Sequence, residues 1–169
     1  MLLTLLLPGC FLWNKHSEHE TDIIEKLQKE VPFTIVVPTH FYFPKGILPY
    51  PTGGSEPGEG SVPDSLVIGL TYAERTTNNN VIWIFEENHT ANPVPSQPSS
   101  IYLDIGGIRV LEEEIEMYNG TSPSEPSDDS EVFQGIIYAW NRDGIRFDVL
   151  ISGYGKSECR KVIESMIIQ

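Results

Sequence analysis

Cysteine is scarce in this chain, with only Cys10 and Cys159 among 169 residues. Two cysteines give no spacing from which a disulfide framework could be inferred. The fold must therefore depend on a hydrophobic core, and a chain of this length favours one domain with a sizeable core over two marginal ones. The hydrophobic content of 40% is sufficient for such a core, whereas 13 prolines and 14 glycines indicate long connecting loops.

Basic residues are also few. The chain has 11 lysines and arginines against 24 acidic residues, which gives a formal net charge of −13. A surface that must neutralise phosphates needs the opposite sign, so we expect no nucleic-acid partner.

A complete phosphate-binding loop is missing as well. The stretch "LISGYGKSEC" (150–159) leads from an apolar run into a helical pattern, but residue 150 is Leu where G-x-x-x-x-G-K-[ST] requires Gly. The loop at 153–157 is too short to surround a triphosphate, and the pattern before it does not predict a parallel sheet. We therefore expect no nucleotide, and we predict that Gly153 and Gly155 turn the chain into a helix with Ser157 as its N-cap.

The sequence also lacks recognisable catalytic and metal motifs. It contains no G-x-S-x-G nucleophile elbow, neither cysteine resembles an exposed thiol of low pKa, and His40 and His89 are isolated in predicted loops. We expect no catalytic residue, no metal site and no cofactor, and we interpret the protein as a non-enzyme. A secreted hydrolase without a motif is an alternative, and it would place His40 or His89 beside Glu86 or Glu87.

An acidic run occurs at Glu112, Glu113, Glu114 and Glu116. Calcium prefers carboxylate oxygens, but these residues do not have the D-x-D-x-D-G spacing of a calcium loop. We interpret them as a charged edge strand that discourages aggregation.

In the first half of the chain, hydrophobic periodicity predicts a helix that Thr21 caps and Pro32 ends. Alternating apolar residues then predict a strand at 33–37. A proline-punctuated connection follows, and residues 53–63 have the composition of a flexible acidic loop.

The second half of the chain predicts strands joined by tight turns. Alternation predicts a strand at 66–72, and "VIWIF" (81–85), which is apolar on both faces, predicts a central strand. Gly106-Gly107 marks the turn of one hairpin, residues 141–144 mark another, and Cys159 belongs to the apolar stripe of a closing helix. These elements predict an α+β fold: a mostly antiparallel, curved sheet of about six to seven strands, with an N-terminal and a C-terminal helix packed on it.

The N-terminus carries an uncharged apolar run that is too short to span a bilayer and that closes on Gly9 and Cys10. Such a run is typical of the end of a signal peptide. Leu7-Pro8-Gly9-Cys10 resembles the bacterial lipobox, in which cleavage leaves an N-terminal cysteine whose thiol is diacylated. We therefore predict that residues 1–20 comprise a signal-peptide remnant, a lipidation site at Cys10 and a tether, and that residues 21–169 form a single domain. The alternatives are an apolar arm packed on the domain, or a disulfide between Cys10 and Cys159 in an oxidising compartment.

Two segments are similar to an uncharacterised family of bacterial envelope lipoprotein domains. The closing segment "AWNRDGIRFDVLISGYGKSECRKVIESMI" has the family's Trp-containing strand at Trp140, its Asp-Gly turn at Asp143-Gly144 and its Glu-Ser dipeptide at Glu164-Ser165. The stretch "VPFTIVVPTHFYFPKGI" is similar to the family's opening. Members are typically secreted lipoproteins or extracytoplasmic parts of membrane proteins, without assigned catalytic residues. The resemblance implies an extracytoplasmic domain that lipid anchors to the bacterial membrane, and it adds no chemistry.

Together these observations predict an envelope-anchored, non-enzymatic interaction or ligand-binding domain. An envelope protein or peptide would dock on Tyr42, Phe43, Tyr50 and the sheet edges. Alternatively, the domain would carry an apolar ligand in a cavity on the concave sheet face, lined by Trp83 and Trp140.

Overall fold

The computed structural model describes residues 18–41, 52–57, 66–73, 80–88, 92–118 and 132–169. In chain order its elements are α1 (Glu18–Gln28), β1 (Thr52–Pro57), β2 (Leu66–Ala73), β3 (Val81–Glu87), β4 (Ile101–Ile105), β5 (Ile108–Tyr118), β6 (Val132–Arg142), β7 (Ile145–Ser152) and α2 (Lys156–Ile167). Within the described ranges, neither helix has the length and hydrophobicity needed to cross a bilayer.

The described strands form one antiparallel sheet with the order β1-β2-β3-β7-β6-β5-β4. Strands β1 to β3 are neighbours in chain order, and so are β4 to β7, so the pairing of β3 with β7 joins the two halves. The predicted α+β fold is confirmed. The predicted central strand is confirmed as well, because β3 pairs with β2 on one side and with β7 on the other.

Both predicted hairpins are present. Gly106 (φ 59°) and Gly107 (φ 83°) turn β4 into β5, and Asp143 (φ 52°) and Gly144 (φ 80°) turn β6 into β7. Positive φ at both central residues is the geometry of a type I′ hairpin turn, and glycine adopts it without a steric penalty.

The hydrophobic core lies between one face of the sheet and the two helices, and we call this the covered face. Trp140 is 1% exposed there, and its ring stacks on that of Phe147 with centroids 4.9 Å apart. The predicted apolar stripe of α2 is confirmed, because the following residues are all buried in this core: Cys159, Val162, Ile163, Met166 and Ile167. Cys159 is a free thiol, and burial raises its pKa to about 12.

The predicted starts of both helices were wrong. Helix α1 begins at Glu18, so Thr21 lies inside it, and residues 18–20 belong to the helix rather than to a tether. The N-cap of α2 is Gly155 instead of Ser157. The Gly155 backbone is extended (φ −68°, ψ 151°), and no side chain caps the helix there.

The predicted strand at 33–37 does not form. Residues 31–41, which we call the strap, run in an irregular extended path over the covered face, with Val31, Phe33 and Ile35 buried as the alternation suggested. The backbone of the strap forms hydrogen bonds with side chains rather than with a neighbouring strand. Gln28 donates to the Phe33 carbonyl (2.6 Å) and accepts from the Ile35 N–H (3.0 Å).

Two assignments near the sheet edges also differ from prediction. Strand β1 overlaps the first part of the segment predicted as a flexible loop, because an edge strand tolerates the glycines and Pro57 that argued against it. The acidic strand β5 is not at an edge, because it lies between β6 and β4.

Candidate functional site

The second face of the sheet, which we call the open face, carries the candidate site. Side chains alternate between the two faces along a strand, and the register places Trp83, Leu150 and Ile137 in one row across β3, β7 and β6 on this face. Phe85 lies two residues from Trp83 on β3 and therefore shares the face. These four residues form what we call the open-face patch.

Phe85 is the most exposed member of the patch, with 45% of its surface accessible, while Trp83, Ile137 and Leu150 are half-buried. Its partner on β2 is Gly69, and a Cβ on that glycine would lie 3.6 Å from the Phe85 ring. The ring therefore lies over the glycine, because no side chain there lifts it from the sheet. An aromatic side chain in this position offers a flat apolar contact to a partner.

Charged side chains flank the patch along β7. The Arg146 guanidinium makes two hydrogen bonds to the Asp148 carboxylate, at 2.6 and 2.9 Å. These bonds raise the pKa of Arg146, and Glu87 on the neighbouring strand adds to the effect. Asp148 is the register partner of Phe85 on β7, so a paired carboxylate adjoins the exposed ring.

The loop at 92–100 packs on the far end of the open face, where Glu113 anchors it. The buried Glu113 carboxylate accepts hydrogen bonds from the Ser96 N–H (2.9 Å), the Ser96 hydroxyl and the Ser100 hydroxyl (2.6 Å). Burial acts to raise the pKa of Glu113, but hydrogen bonds from Ser100 and Ser96 outweigh it, so the pKa is lowered. The carboxylate is thus held in its charged form without a basic partner among these contacts, and it forms one boundary of the patch.

On the covered face, a second buried carboxylate, Glu86, holds the middle of the strap. Its two oxygens lie 3.0 and 3.2 Å from the Val36 nitrogen, which donates to them. Burial raises the pKa of Glu86 to about 8, against a smaller opposing effect of the Val36 hydrogen bond. Nearby, the Tyr72 hydroxyl donates to Glu20 of α1 at 2.9 Å, and burial followed by the charge of Glu20 raises the pKa of Tyr72.

A third buried carboxylate, Glu112, pairs β5 with α2. Arg160 bonds both of its oxygens, at 2.7 and 2.9 Å, and Lys156 lies 3.0 Å away. Burial acts to raise the pKa of Glu112, but these cationic hydrogen bonds outweigh it, so the pKa is lowered. Glu114 on the same strand is exposed and bonds Lys156 at 2.7 Å. The members of the acidic run therefore differ in role: Glu112 forms a buried ion pair, Glu113 anchors a loop, and Glu114 lies at the surface.

A groove of about 520 Å³ lies between the strap and the end of α2. Its Ser165 hydroxyl accepts from the Thr39 and His40 N–H groups, both at 3.1 Å, and donates to the Val162 carbonyl at 2.7 Å. Because the hydroxyl proton and oxygen are both engaged, this serine fastens the strap and is not placed as a nucleophile.

Several predicted site residues are not among those described: Cys10, Tyr42, Phe43, Tyr50 and His89. Trp83 and Trp140 lie on opposite faces of the sheet, so the structure does not bring them together. Among the pairs that the hydrolase hypothesis named, His40 and Glu86 both belong to the covered face, whereas Glu87 is on the open face, so only the pairing of His40 with Glu87 is excluded. The described residues contain no cluster of three or more potential metal ligands.

Sequence reasoning missed Phe85, Ile137 and Leu150 as site residues. A signal for Phe85 is the two-sided apolar pattern of "VIWIF", which predicts a central strand and also places apolar side chains on both faces of the sheet. No family model matches the chain, and no curated protein or solved structure matches it significantly.

Proposed function

We propose that this protein is a non-enzymatic binding domain, held on the extracytoplasmic side of a bacterial membrane by lipid on Cys10, whose open-face patch docks an envelope protein or peptide. The exposed Phe85 ring beside Trp83, on a face that neither helix covers, carries the proposal. Contiguous exposed apolar surface rimmed by polar groups is characteristic of interaction sites, and aromatic residues often dominate their energetics.

The charge of the chain indicates the chemistry of the partner. With a net charge of −13, and with Glu87 and Asp148 beside the patch, the domain favours a segment that combines apolar side chains with positive charge. The location of the domain rests on the apolar run that ends at Cys10 and on the family resemblance.

Docking on the open face is favoured over carriage of an apolar ligand. The carrier hypothesis needs Trp83 and Trp140 around one cavity, whereas Trp140 is stacked in the core and Trp83 is on the other face.

The proposal is tested by photo-crosslinking from position 85. A photoreactive benzoyl-phenylalanine replaces Phe85 in the native host, and intact cells are irradiated. We expect one discrete adduct, identified by mass spectrometry, that is not formed when the same probe replaces Lys161, an exposed residue of α2. The partner is then purified, and Phe85→Ser is expected to weaken its binding by about tenfold or more.

Two results would reject the proposal: the same adducts from positions 85 and 161, or unchanged affinity of the purified partner for Phe85→Ser. Asp148→Asn provides a further check, because loss of a negative charge beside the ring should weaken binding of a basic partner and reduce its salt dependence.

A further inference from the structure

Strand β4 forms one edge of the sheet, and its sequence is that of an edge open to pairing. It reads "IYLDI", with no proline, glycine or lysine, and Ile101 and Tyr102 are 43% and 38% exposed. The opposite edge, β1, reads "TGGSEP" and has the glycines and proline that discourage pairing. The two edges therefore differ in glycine and proline content, which is one way in which proteins protect sheet edges.

The hydrogen-bonding pattern identifies the backbone groups that point outward from β4. The two-residue turn makes Ile105 and Ile108 a hydrogen-bonded pair, and the bonds then alternate along the strands. Tyr102 and Asp104 are the intervening residues, so their N–H and C=O groups face away from β5.

Exposed apolar side chains gather at the same edge. Ile168 is 70% exposed, and it follows α2 where the helix end rests on the Gly106 turn, within 3.8 Å of a Cβ built on that glycine. Val94, also exposed, lies in the loop whose Pro93 carbonyl accepts the Tyr102 hydroxyl at 3.0 Å. Of the five large apolar residues that are exposed in the described parts of the chain, only Phe85 lies away from this edge.

We propose that two copies of this chain associate through antiparallel pairing of their β4 strands, with Leu103 at the two-fold axis, so that the sheet continues from one copy into the other. In this register Tyr102 of each copy exchanges main-chain bonds with Asp104 of the second copy. The pairing thus uses the outward groups of both residues and leaves the β4–β5 bonds intact.

Side-chain chemistry is self-complementary in this register. On the covered face, Ile101 lies opposite Ile105 of the second copy. The Gly106 turn of that second copy follows its Ile105, and the second copy's Ile168 packs against this turn. On the open face, Asp104 lies opposite Tyr102 of the second copy, whose ring already holds the Arg109 guanidinium 3.7 Å from its centroid. A carboxylate therefore approaches a cation, and no like charges face each other across the pair.

The register is tested with cysteine variants of the 169-residue chain carrying Cys10→Ser. At a non-hydrogen-bonded antiparallel pair the Cα atoms are about 4.5 Å apart, which a disulfide can bridge. Leu103→Cys is expected to form a disulfide dimer under mild oxidation. Ile101→Cys is the matched control, because its two copies would lie about 13 Å apart along the strands. Equal crosslinking of the two variants, or none for Leu103→Cys when it melts like its parent, would overturn the proposal.

The association itself is tested by sedimentation of the same Cys10→Ser chain at ~0.15 M ionic strength, where long-range repulsion between acidic molecules is screened. We expect a monomer–dimer equilibrium. The double variant Ile101→Lys, Ile168→Lys should raise the dissociation constant of the dimer by about tenfold or more, because the lysines would lose hydration when the interface forms. Phe85→Lys should leave this dissociation constant unchanged. A chain that sediments as a monomer at about 100 µM, or a dimer unaffected by the lysines, contradicts the proposal. Neither result bears on partner docking at Phe85, so the two proposals can fail separately.

Discussion

Glu86 is a carboxyl group buried under the strap, and the described residues place no lysine or arginine in contact with it. Tyr72 faces it from β2, Glu20 bonds that tyrosine from α1, and the strap contributes the Val36 N–H. None of these groups carries a positive charge that would stabilise an ionised Glu86 carboxylate, and burial raises the pKa of Glu86 to about 8. The carboxyl is therefore protonated in the folded protein at neutral pH.

The raised pKa of Glu86 predicts a loss of stability with rising pH. Between an unfolded pKa of ~4.3 and the folded value near 8, the native state keeps a proton that the unfolded chain has released, so the free energy of unfolding falls by about 1.4 kcal/mol per pH unit. Below this window the contribution is fully present, and above it the loss is complete. Glu86→Gln retains an oxygen for the Val36 N–H and cannot ionise, so it should be the more stable protein at pH 8.

Urea unfolding from pH 5 to pH 9 measures this difference. Glu87→Gln is the control, because residue 87 is the next one on β3 and points to the opposite face. Parallel pH dependence of Glu86→Gln and the unaltered chain would show that Glu86 is not protonated in the fold.

The Glu112–Arg160 pair predicts a second residue-level effect. Arg160→Met removes the guanidinium that bonds both oxygens of a buried carboxylate and leaves Lys156 as its only cation, so we expect a loss of about 2 kcal/mol in unfolding free energy. The double variant Glu112→Met, Arg160→Met buries no unpaired charge and should recover part of that loss. Thermal or urea unfolding of both variants tests this, and a double variant less stable than Arg160→Met contradicts it.

Among the elements, the strap depends most on single side chains. Ser165→Ala removes the acceptor of the Thr39 and His40 N–H groups and should lower the unfolding free energy by about 1 kcal/mol. Hydrogen exchange should accelerate at residues 39 and 40 in particular. Ser157→Ala, at an exposed serine that does not cap α2, should change neither quantity. Slow exchange at 39 and 40 in Ser165→Ala would mean that other groups hold the strap.

The strap is an element that local sequence signals did not predict. Local signals sufficed for the hairpins and for α2, because Gly106-Gly107 and the stripe at Cys159 act on their immediate neighbours. The strap has the same alternation as a strand, but its N–H groups donate to side chains, and two of these acceptors, Glu86 and Ser165, lie far along the chain. Similarly, "VIWIF" predicts apolar side chains on both faces but not the exposure of Phe85, because that exposure depends on which face the helices cover.

At the scale of the whole molecule, the apolar N-terminal run predicts how the domain is located. If Cys10 is the lipidation site, protein expressed from its native locus should be recovered from membranes with an intact mass that corresponds to a diacylated cysteine at residue 10. Cys10→Ser should be released from the membrane fraction. A recovered chain that still contains residues 1–9 without lipid would exclude the tether and leave the docking proposal for the open face to be tested independently.

The junction between β3 and β7 has a consequence for folding. Each half of the sheet forms by pairing strands that are adjacent in the chain, and such contacts close short loops. The β3–β7 contact is the long-range exception, and β7 follows every other strand in the chain. During synthesis, the edge of β3 that pairs with β7 therefore stays unpaired until the last strand has been made. In this interval the polypeptide is most exposed to aggregation and most in need of a chaperone.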